Sequence, residues 1–455
     1  MKRVVILGAG ITGLSLAFFL ERTLNNDIEV IIIEKDSRLG GMLKSDNLNG
    51  YTFDMGGHVL HSLNKIPTIF VENVINRIDA IKHTRQAYIY IDNFFVPYPF
   101  QYFFYMHPNK KLVKECINGL KKILYNSDYF NNNIDNLESY IEKKLGYGIS
   151  KYFMKPYNLK LWKYNLKNLD LNEMKQFIPD LPKEIIEKII ETYEKNTSNI
   201  FSDKIGYNPS FIYPKKGGIE SLIQVISNFI SKSSIILKST PTALNLKEKI
   251  LVINDSEKIS YDILISTIPL IEFLHICDKM SKLPYSLREI SKKIISVKLL
   301  VLGLGLNSIS HEKYFKTHWT YFPETNISFH RVINLTALSP FTSPKGKYCC
   351  LVEVSLGNSL VKYNVSINKI ISDLIKIKLI DNKKDIDLIK KIYINYAYPI
   401  PVKGIRKLRK VLKDFFKQYS IFLCGRLGEW KYNSIADSIR DAYYLVSKLT
   451  SYIAS

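Results

Sequence analysis

Gly8, Gly10 and Gly13 stand at G-x-G-x-x-G spacing, directly after Val4-Val5-Ile6-Leu7, and Glu34 closes a second apolar run, Ile28-Glu29-Val30-Ile31-Ile32-Ile33. Strand, glycine turn, helix, strand and acid in this order suit the pyrophosphate and ribose of an adenine dinucleotide. Gly8 makes the tight turn, and Gly10 lets backbone approach the pyrophosphate at the helix N-terminus. Gly13 lets the helix pack on the strand, and Glu34 accepts from the ribose hydroxyls. A glycine turn without a ligand would explain neither the strand before it nor the acid after it.

Two glycine doublets narrow the ligand. Gly40-Gly41 follows Arg38-Leu39, and Gly56-Gly57-His58 closes the run Tyr51-Thr52-Phe53-Asp54-Met55. Loops without Cβ atoms can lie against a large flat ligand. A nicotinamide enzyme has no need of the second pair. An FAD enzyme of glutathione-reductase-like type has, because the flavin stays bound through turnover. The expected cofactor is FAD, with Arg38, Gly40, Gly41 and Gly57 beside it.

These residues need elements to hold them in place. Tyr88–Ile91 and Phe94–Val96 read as a hairpin around Asp92-Asn93. Leu112, Cys116, Leu120 and Ile123, then Ile185, Ile186, Ile189 and Ile190, recur at helical spacing. A strand–turn–helix returns at Tyr213–Glu220, followed by apolar strands near 234–237, 249–253 and 263–268, and a last one, Ile421–Leu423, ends in Cys424-Gly425-Arg426. The expected architecture is α/β. A Rossmann-like FAD-binding domain is discontinuous over 1–65, 205–275 and 420–455. A helical insertion covers 103–198, and an antiparallel sheet and substrate domain covers 66–102 and 276–419.

Length and composition suit a multidomain globular enzyme: 455 residues, 46% hydrophobic and 23% charged. No apolar run approaches the ~18 residues of a membrane span, so no integral membrane segment is expected. Five cysteines without C-x-x-C point to reduced thiols and a cytoplasmic setting. Cys349 and Cys350 are expected in a strand, on opposite faces. The net charge of +22 invites a nucleic-acid partner. However, the excess is scattered lysine with no basic–aromatic module, so none is expected. A positive field would still draw in an anionic substrate. Arginine is scarce, with none between Arg85 and Arg288. No heptad decides for or against a homo-oligomer.

Several spaced motifs then occur in a familiar order: Gly56-Gly57-His58-Val59, Pro97-Tyr98-Pro99-Phe100-Gln101, and Met154-Lys155-Pro156-Tyr157-Asn158-Leu159-Lys160-Leu161-Trp162. Next come Trp319-Thr320-Tyr321-Phe322-Pro323-Glu324, Phe329-His330-Arg331, Tyr398-Pro399-Ile400-Pro401, and Gly425-Arg426-Leu427-Gly428-Glu429-Trp430-Lys431-Tyr432. Over nearly its whole length the chain resembles the UDP-galactopyranose mutases, closer to the eukaryotic-type branch, within the FAD-dependent amine oxidase and protoporphyrinogen oxidase-like superfamily. The resemblance implies ring contraction without net redox. N5 of reduced FAD attacks the anomeric carbon of a nucleotide sugar, and the ring opens and recloses through a different hydroxyl. NADH or NADPH would be the reductant.

Residue by residue, the resemblance implies that Arg331 and the hydroxyls of Tyr321, Tyr398 and Tyr432 meet the diphosphate. His58 would sit beside the flavin. Tyr98, Phe100 and Gln101 fall on the uridine side, and Asn158, Trp162 and Asn208 on the sugar side. Arg426, after Gly425, is expected at the FAD diphosphate, with Ser438 toward the ribityl chain unless it and Asp437 only cap the last helix. Arg85 matches a position tied to nicotinamide docking, although Ala87 replaces a serine there. In two places the chain departs from the pattern. A second active-site arginine is missing from Asn172–Pro179, where Lys175 is the available cation, and His330 replaces an aromatic residue. A competing assignment is an FAD-dependent oxidoreductase of the protoporphyrinogen or amine oxidase type. A third is a flavoprotein without activity, kept to bind a partner.

Overall fold

The computed structural model describes residues 1–24, 27–125, 134–179, 181–195, 209–358 and 365–454. In chain order, the elements that frame the site begin with β1 (Lys2–Leu7), α1 (Ile11–Thr23) and β2 (Ile28–Ile33). The hairpin β3 (Ala87–Ile91) and β4 (Phe94–Pro97) follows, then the helices α2 (Lys110–Leu124), α3 (Leu137–Ile149), α4 (Lys155–Trp162) and α5 (Lys183–Glu194). Next are the strands β5 (Ser234–Ile236), β6 (Ile263–Ser266), β7 (Ser296–Leu306) and β8 (Trp319–Tyr321). The chain continues with β9 (Arg331–Asn334), β10 (Tyr348–Asn358), β11 (Ile386–Pro399), β12 (Ile421–Leu423) and the last helix, α6 (Ile435–Ala454).

A five-stranded parallel sheet runs β5-β2-β1-β6-β12. Val4, Val5, Ile6 and Leu7 of β1 and Val30, Ile31, Ile32 and Ile33 of β2 are all buried, as strands covered on both faces require. The strands of this sheet come from three separate stretches of the chain. Helix α1 packs along it so closely that a Cβ on Gly13 would lie 1.9 Å from the carbonyl oxygen of Gly8. Gly8 itself has φ +97°, a conformation that favours glycine.

A seven-stranded sheet runs β11-β7-β10-β9-β8-β3-β4. It departs from the expected antiparallel pattern at one pair: β8 lies parallel to β3, with Thr320 opposite Tyr88. The two strands lie far apart in sequence, and so long a connection permits either direction. The hairpin at Asp92-Asn93 has left-handed φ at both turn residues, the two-residue geometry that matches strand twist. Cys349 joins the main core on one face of β10, and Cys350 a smaller core on the other. All five cysteines are buried and unbridged.

Helix α2 is capped by Asn109, whose side chain accepts from the N–H groups of Lys111 and Leu112, and it buries Leu112, Cys116, Leu120 and Ile123. In α5, Ile186, Ile189 and Ile190 are buried while Ile185 is only partly so. Helix α3 passes through a π-helical turn, Ser150–Met154, into α4, which delivers Tyr157, Asn158 and Trp162 toward the sheet. Among the described residues no helix is long and apolar enough to cross a membrane.

Candidate active site

One cavity of about 620 Å³ lies between the parallel sheet and the seven-stranded sheet, within the range of pockets that take cofactors and substrates. The β1–α1 turn forms one wall, with Gly8, Gly10, Glu34, Gly40 and Gly41 among its lining. Helix α1 has no side-chain cap at Gly10, so its first N–H groups are left for a ligand. The buried Glu34 carboxylate accepts from Ala9 N at 2.8 Å and Asp36 N at 2.9 Å. Two acceptor positions remain for hydroxyl groups. Gly40 pairs with Gly10 across an isolated bridge, which joins the two glycine turns.

Other residues expected on this wall are placed differently. Arg38 does not line the cavity; it pairs with Asp46 and Glu220 and donates to the Ser45 carbonyl. Its neighbourhood of two carboxylates accounts for the difference, since both compete for the guanidinium. Gly425 also lies behind the lining; a Cβ there would meet Thr12 at 2.3 Å. Arg426 does line the cavity. It donates to the carbonyls of Asn433 at 2.7 Å and Ala397 at 2.8 Å, and its guanidinium sits 4.4 Å from the Tyr432 ring centre. Ser438 lines the cavity and donates to Ser434 O, while Asp437 and Ser434 exchange hydrogen bonds as a reciprocal cap on α6.

The opposite wall is built from ionisable side chains. Arg331, at the start of β9, faces Glu353 across the β9–β10 ladder. Its Nε donates to Glu353 Oε2 at 2.9 Å, and its Nη2 to the same oxygen and to Tyr398 at 3.1 Å. Glu353 Oε1 accepts from Gly57 N at 3.2 Å, which ties this wall to the Gly56-Gly57-His58 turn. Burial would push the Glu353 carboxyl up, but Arg331 and the surrounding donors win and hold it well below the usual carboxylate range. His330 Nε2 is 3.3 Å from Glu353 Oε2, yet burial dominates and lowers its pKa. Glu353 was not singled out in the sequence. The signal was one acid inside the apolar run Leu351-Val352-Glu353-Val354.

Tyr321 accepts from Arg85, whose guanidinium lies over the rings of Tyr98 and Trp319. Tyr398 and Tyr432 lie 5.5 Å apart, each edge-on to Trp162. Trp162 Nε1 donates to Asn158 Oδ1 at 3.2 Å. Tyr157 lines the same wall edge-on to Tyr321, and its burial raises its pKa. Burial lowers His58 to about 4, and nearby Arg426 adds to this, so the imidazole is neutral at physiological pH. Gln101 donates to Pro179 O at 2.9 Å.

Of the remaining expected residues, Phe100 is fully buried against Phe104 and Phe153 and does not line the cavity. The reason is that the approach to α4 fills its surroundings with aromatic rings. Asn208 lies outside the described residues. Lys175 is exposed and off the cavity wall, so it does not stand in for the missing arginine; the guanidinium groups on the lining are those of Arg85, Arg331 and Arg426.

Buried polar atoms without a hydrogen-bond partner among the described residues line the cavity, among them Arg426 Nε, His58 Nδ1, Gln101 Oε1 and His330 Nδ1. Such atoms are costly unless a ligand meets them. A glycine-built turn, an open helix end and these polar atoms around one cavity fit FAD together with a polar second ligand.

A family model described as an NAD(P)-binding Rossmann-like domain matches residues 6–72. The chain is 35% identical over 99 residues to the coproporphyrinogen III oxidase of Staphylococcus aureus, which is 22% of this chain and 21% of that protein. It is 34% identical over 73 residues to prenylcysteine oxidase 1 of Bos taurus, 16% of this chain and 14% of that protein. The match thus spans about a fifth or less of these curated relatives. The crystal structure of a reduced UDP-galactopyranose mutase superposes with a TM-score of 0.88, covering 100% of this chain and 95% of that one at 23% identity. At that identity the likeness is one of fold. Together these results give a Rossmann-like dinucleotide domain within the fold of FAD-dependent oxidoreductases.

Proposed function

We propose that the chain is an isomerase, a flavin-dependent sugar-nucleotide mutase that interconverts pyranose and furanose forms of UDP-galactose or a related nucleotide sugar. The observation that carries this reading is the Arg331–Glu353–Tyr398 cluster facing a dinucleotide turn across one cavity. We read 1–65, 205–275 and 420–455 as the glutathione-reductase-like unit that holds FAD, 103–198 as the helical insertion, and the rest as the substrate unit. Bound FAD in its reduced form supplies the nucleophile for the anomeric carbon, with NADH or NADPH as reductant.

The chain's own residues bind the diphosphate and offset its charge as it departs. Arg331 offers a fixed cation, and Glu353 orients it by taking its Nε and Nη2 edge. The Tyr321, Tyr398 and Tyr432 hydroxyls supply neutral donors where negative charge grows. Trp162 and Asn158 shape the sugar end, with Asn208 assigned there by resemblance alone. Tyr98, Phe100 and Gln101 serve the uridine end, Phe100 by backing the wall rather than by contact. His58, neutral, can accept or donate at the flavin without adding charge. We place this role in the cytoplasm, in the supply of galactofuranose precursors for surface polysaccharide.

The relatives' names favour a second reading, an FAD-dependent oxidoreductase of the protoporphyrinogen or amine oxidase type. An apolar substrate would offer no acceptor to the donors that Arg331 and the tyrosines have left after pairing with Glu353, Arg85 and one another, a mismatch in polarity that costs free energy. Titration with UDP, followed by the flavin absorbance, separates the two. Wild type should bind and Arg331→Ala should lose at least about 30-fold in affinity; equal affinity in both would remove the diphosphate assignment.

A further inference from the structure

Lys160 belongs to α4 but does not line the cavity. The residue is 8% exposed, and its ammonium donates to three backbone carbonyls, those of Phe322 at 2.8 Å, Phe329 at 3.0 Å, and Glu324. All three belong to the loop between β8 and β9. That loop begins after Tyr321 and ends at Arg331, and these two residues pair directly in the ladder. Phe322 N donates to His330 O at 3.0 Å and closes its neck. Among the described residues no carboxylate bonds the ammonium, so its three N–H groups are spent on backbone alone. Burying a cation this way costs free energy unless every donor is matched.

Helix α4 is anchored a second time. Ser355 and Asn358 of β10 donate to the carbonyls of Leu161 at 2.8 Å and Lys163 at 3.2 Å. The helix that carries Tyr157, Asn158 and Trp162 is therefore fastened to β10 by its end, and Lys160 fastens it to the loop carrying Tyr321 and Arg331.

We propose that Lys160 is a positioning residue whose ammonium, acting as an internal cation for three carbonyls, sets the Tyr321–Arg331 turn against the Asn158–Trp162 face. As a statement about the substrate site this rests on the function proposed above. The tie itself does not. The device is sensitive to pH, because a neutral amine keeps only two N–H groups and turns a lone pair toward a carbonyl. Burial lowers Lys160 to about 7, against the raising effect of Glu324 and Asp373 and with a further lowering from Lys163. His330, at the end of the same loop, has its pKa lowered by burial, and the Lys160 charge lowers it further. The tie is thus complete below about pH 7 and loosens above it.

Hydrogen exchange of the 322–330 segment, read against β1 as an internal reference, tests this in the flavin-loaded protein. Lys160→Met should raise exchange in the segment roughly ten-fold, because charge-assisted bonds are lost. Flavin content and β1 protection should stay constant while UDP affinity falls by a similar factor. In wild type, protection of the segment relative to β1 should drop between about pH 6 and 8.5, which needs no variant to fold. Unchanged exchange in Lys160→Met, or a flat pH series, overturns the proposal. A wild type that ignores UDP, while its segment still loosens in Lys160→Met, supports the tie and strikes the functional reading instead.

Discussion

The two walls of the cavity hold charge by different means. The dinucleotide wall uses backbone: the open N-terminus of α1, glycine turns, and one carboxylate that accepts from backbone N–H groups. The opposite wall uses side chains, with Arg331, Glu353 and Tyr398 drawn from three strands and the half-buried Arg331 paired to the buried Glu353. Backbone sites depend on shape and tolerate almost no added volume. Buried side-chain clusters depend on balanced charge and tolerate shape changes better than the loss of one partner. The first wall should therefore fail sterically and the second electrostatically.

The largest effect should come from the first wall. Gly13→Ala puts a methyl 1.9 Å from the Gly8 carbonyl oxygen, a clash beyond the roughly 1–3 kcal/mol of ordinary overpacking. Purified Gly13→Ala should carry little flavin, if it folds at all; full flavin content would mean that the α1–β1 contact is less tight than described. On the second wall, Glu353→Gln keeps the shape and removes the counter-charge of Arg331. Stability should fall by about 3–5 kcal/mol, seen as a lower denaturant midpoint. A loss no greater than that of a surface substitution would show that the pair adds nothing to folding.

A smaller effect is read by pH. Burial lowers His58 and His61 to about 4, below the ordinary histidine value near 6.5. Between these values the unfolded chain binds protons that the folded chain refuses, so stability should fall as pH drops from about 6.5 to 4. His58→Gln should flatten part of that slope. A slope unaltered by the substitution would mean that His58 protonates freely in the fold.

Legibility in the sequence followed the same division. The dinucleotide wall was readable because Gly8, Gly10, Gly13 and Glu34 lie within one strand–helix–strand unit, where spacing carries the geometry. Arg38 misled because its two partners, Asp46 and Glu220, are set by tertiary packing. The side-chain wall was reached only through motif resemblance, which named Arg331 and the tyrosines but not Glu353. Nothing local marks which strand will lie beside β9, so the carboxylate that pairs with Arg331 could not be found by spacing. The parallel β8–β3 pair was hidden for the same reason. Lys160 stood in a quoted motif, but its three carbonyl partners belong to a loop far along the chain. Phe100 shows the opposite failure, a motif position whose side chain packs elsewhere, and Lys175, the available cation where the motif lacks its arginine, lies exposed off the cavity wall.

The proposed function requires the two walls together to rearrange a nucleotide sugar. The direct measurement is incubation of the dithionite-reduced enzyme, and of an oxidised control, with UDP-galactofuranose, separating the furanose and pyranose products. Conversion by the reduced enzyme alone, with no continuing uptake of reductant, is the predicted result. An FAD-loaded, reducible enzyme that converts neither UDP-galactose nor related nucleotide sugars, yet takes up oxygen with an amine or a porphyrinogen, would contradict it.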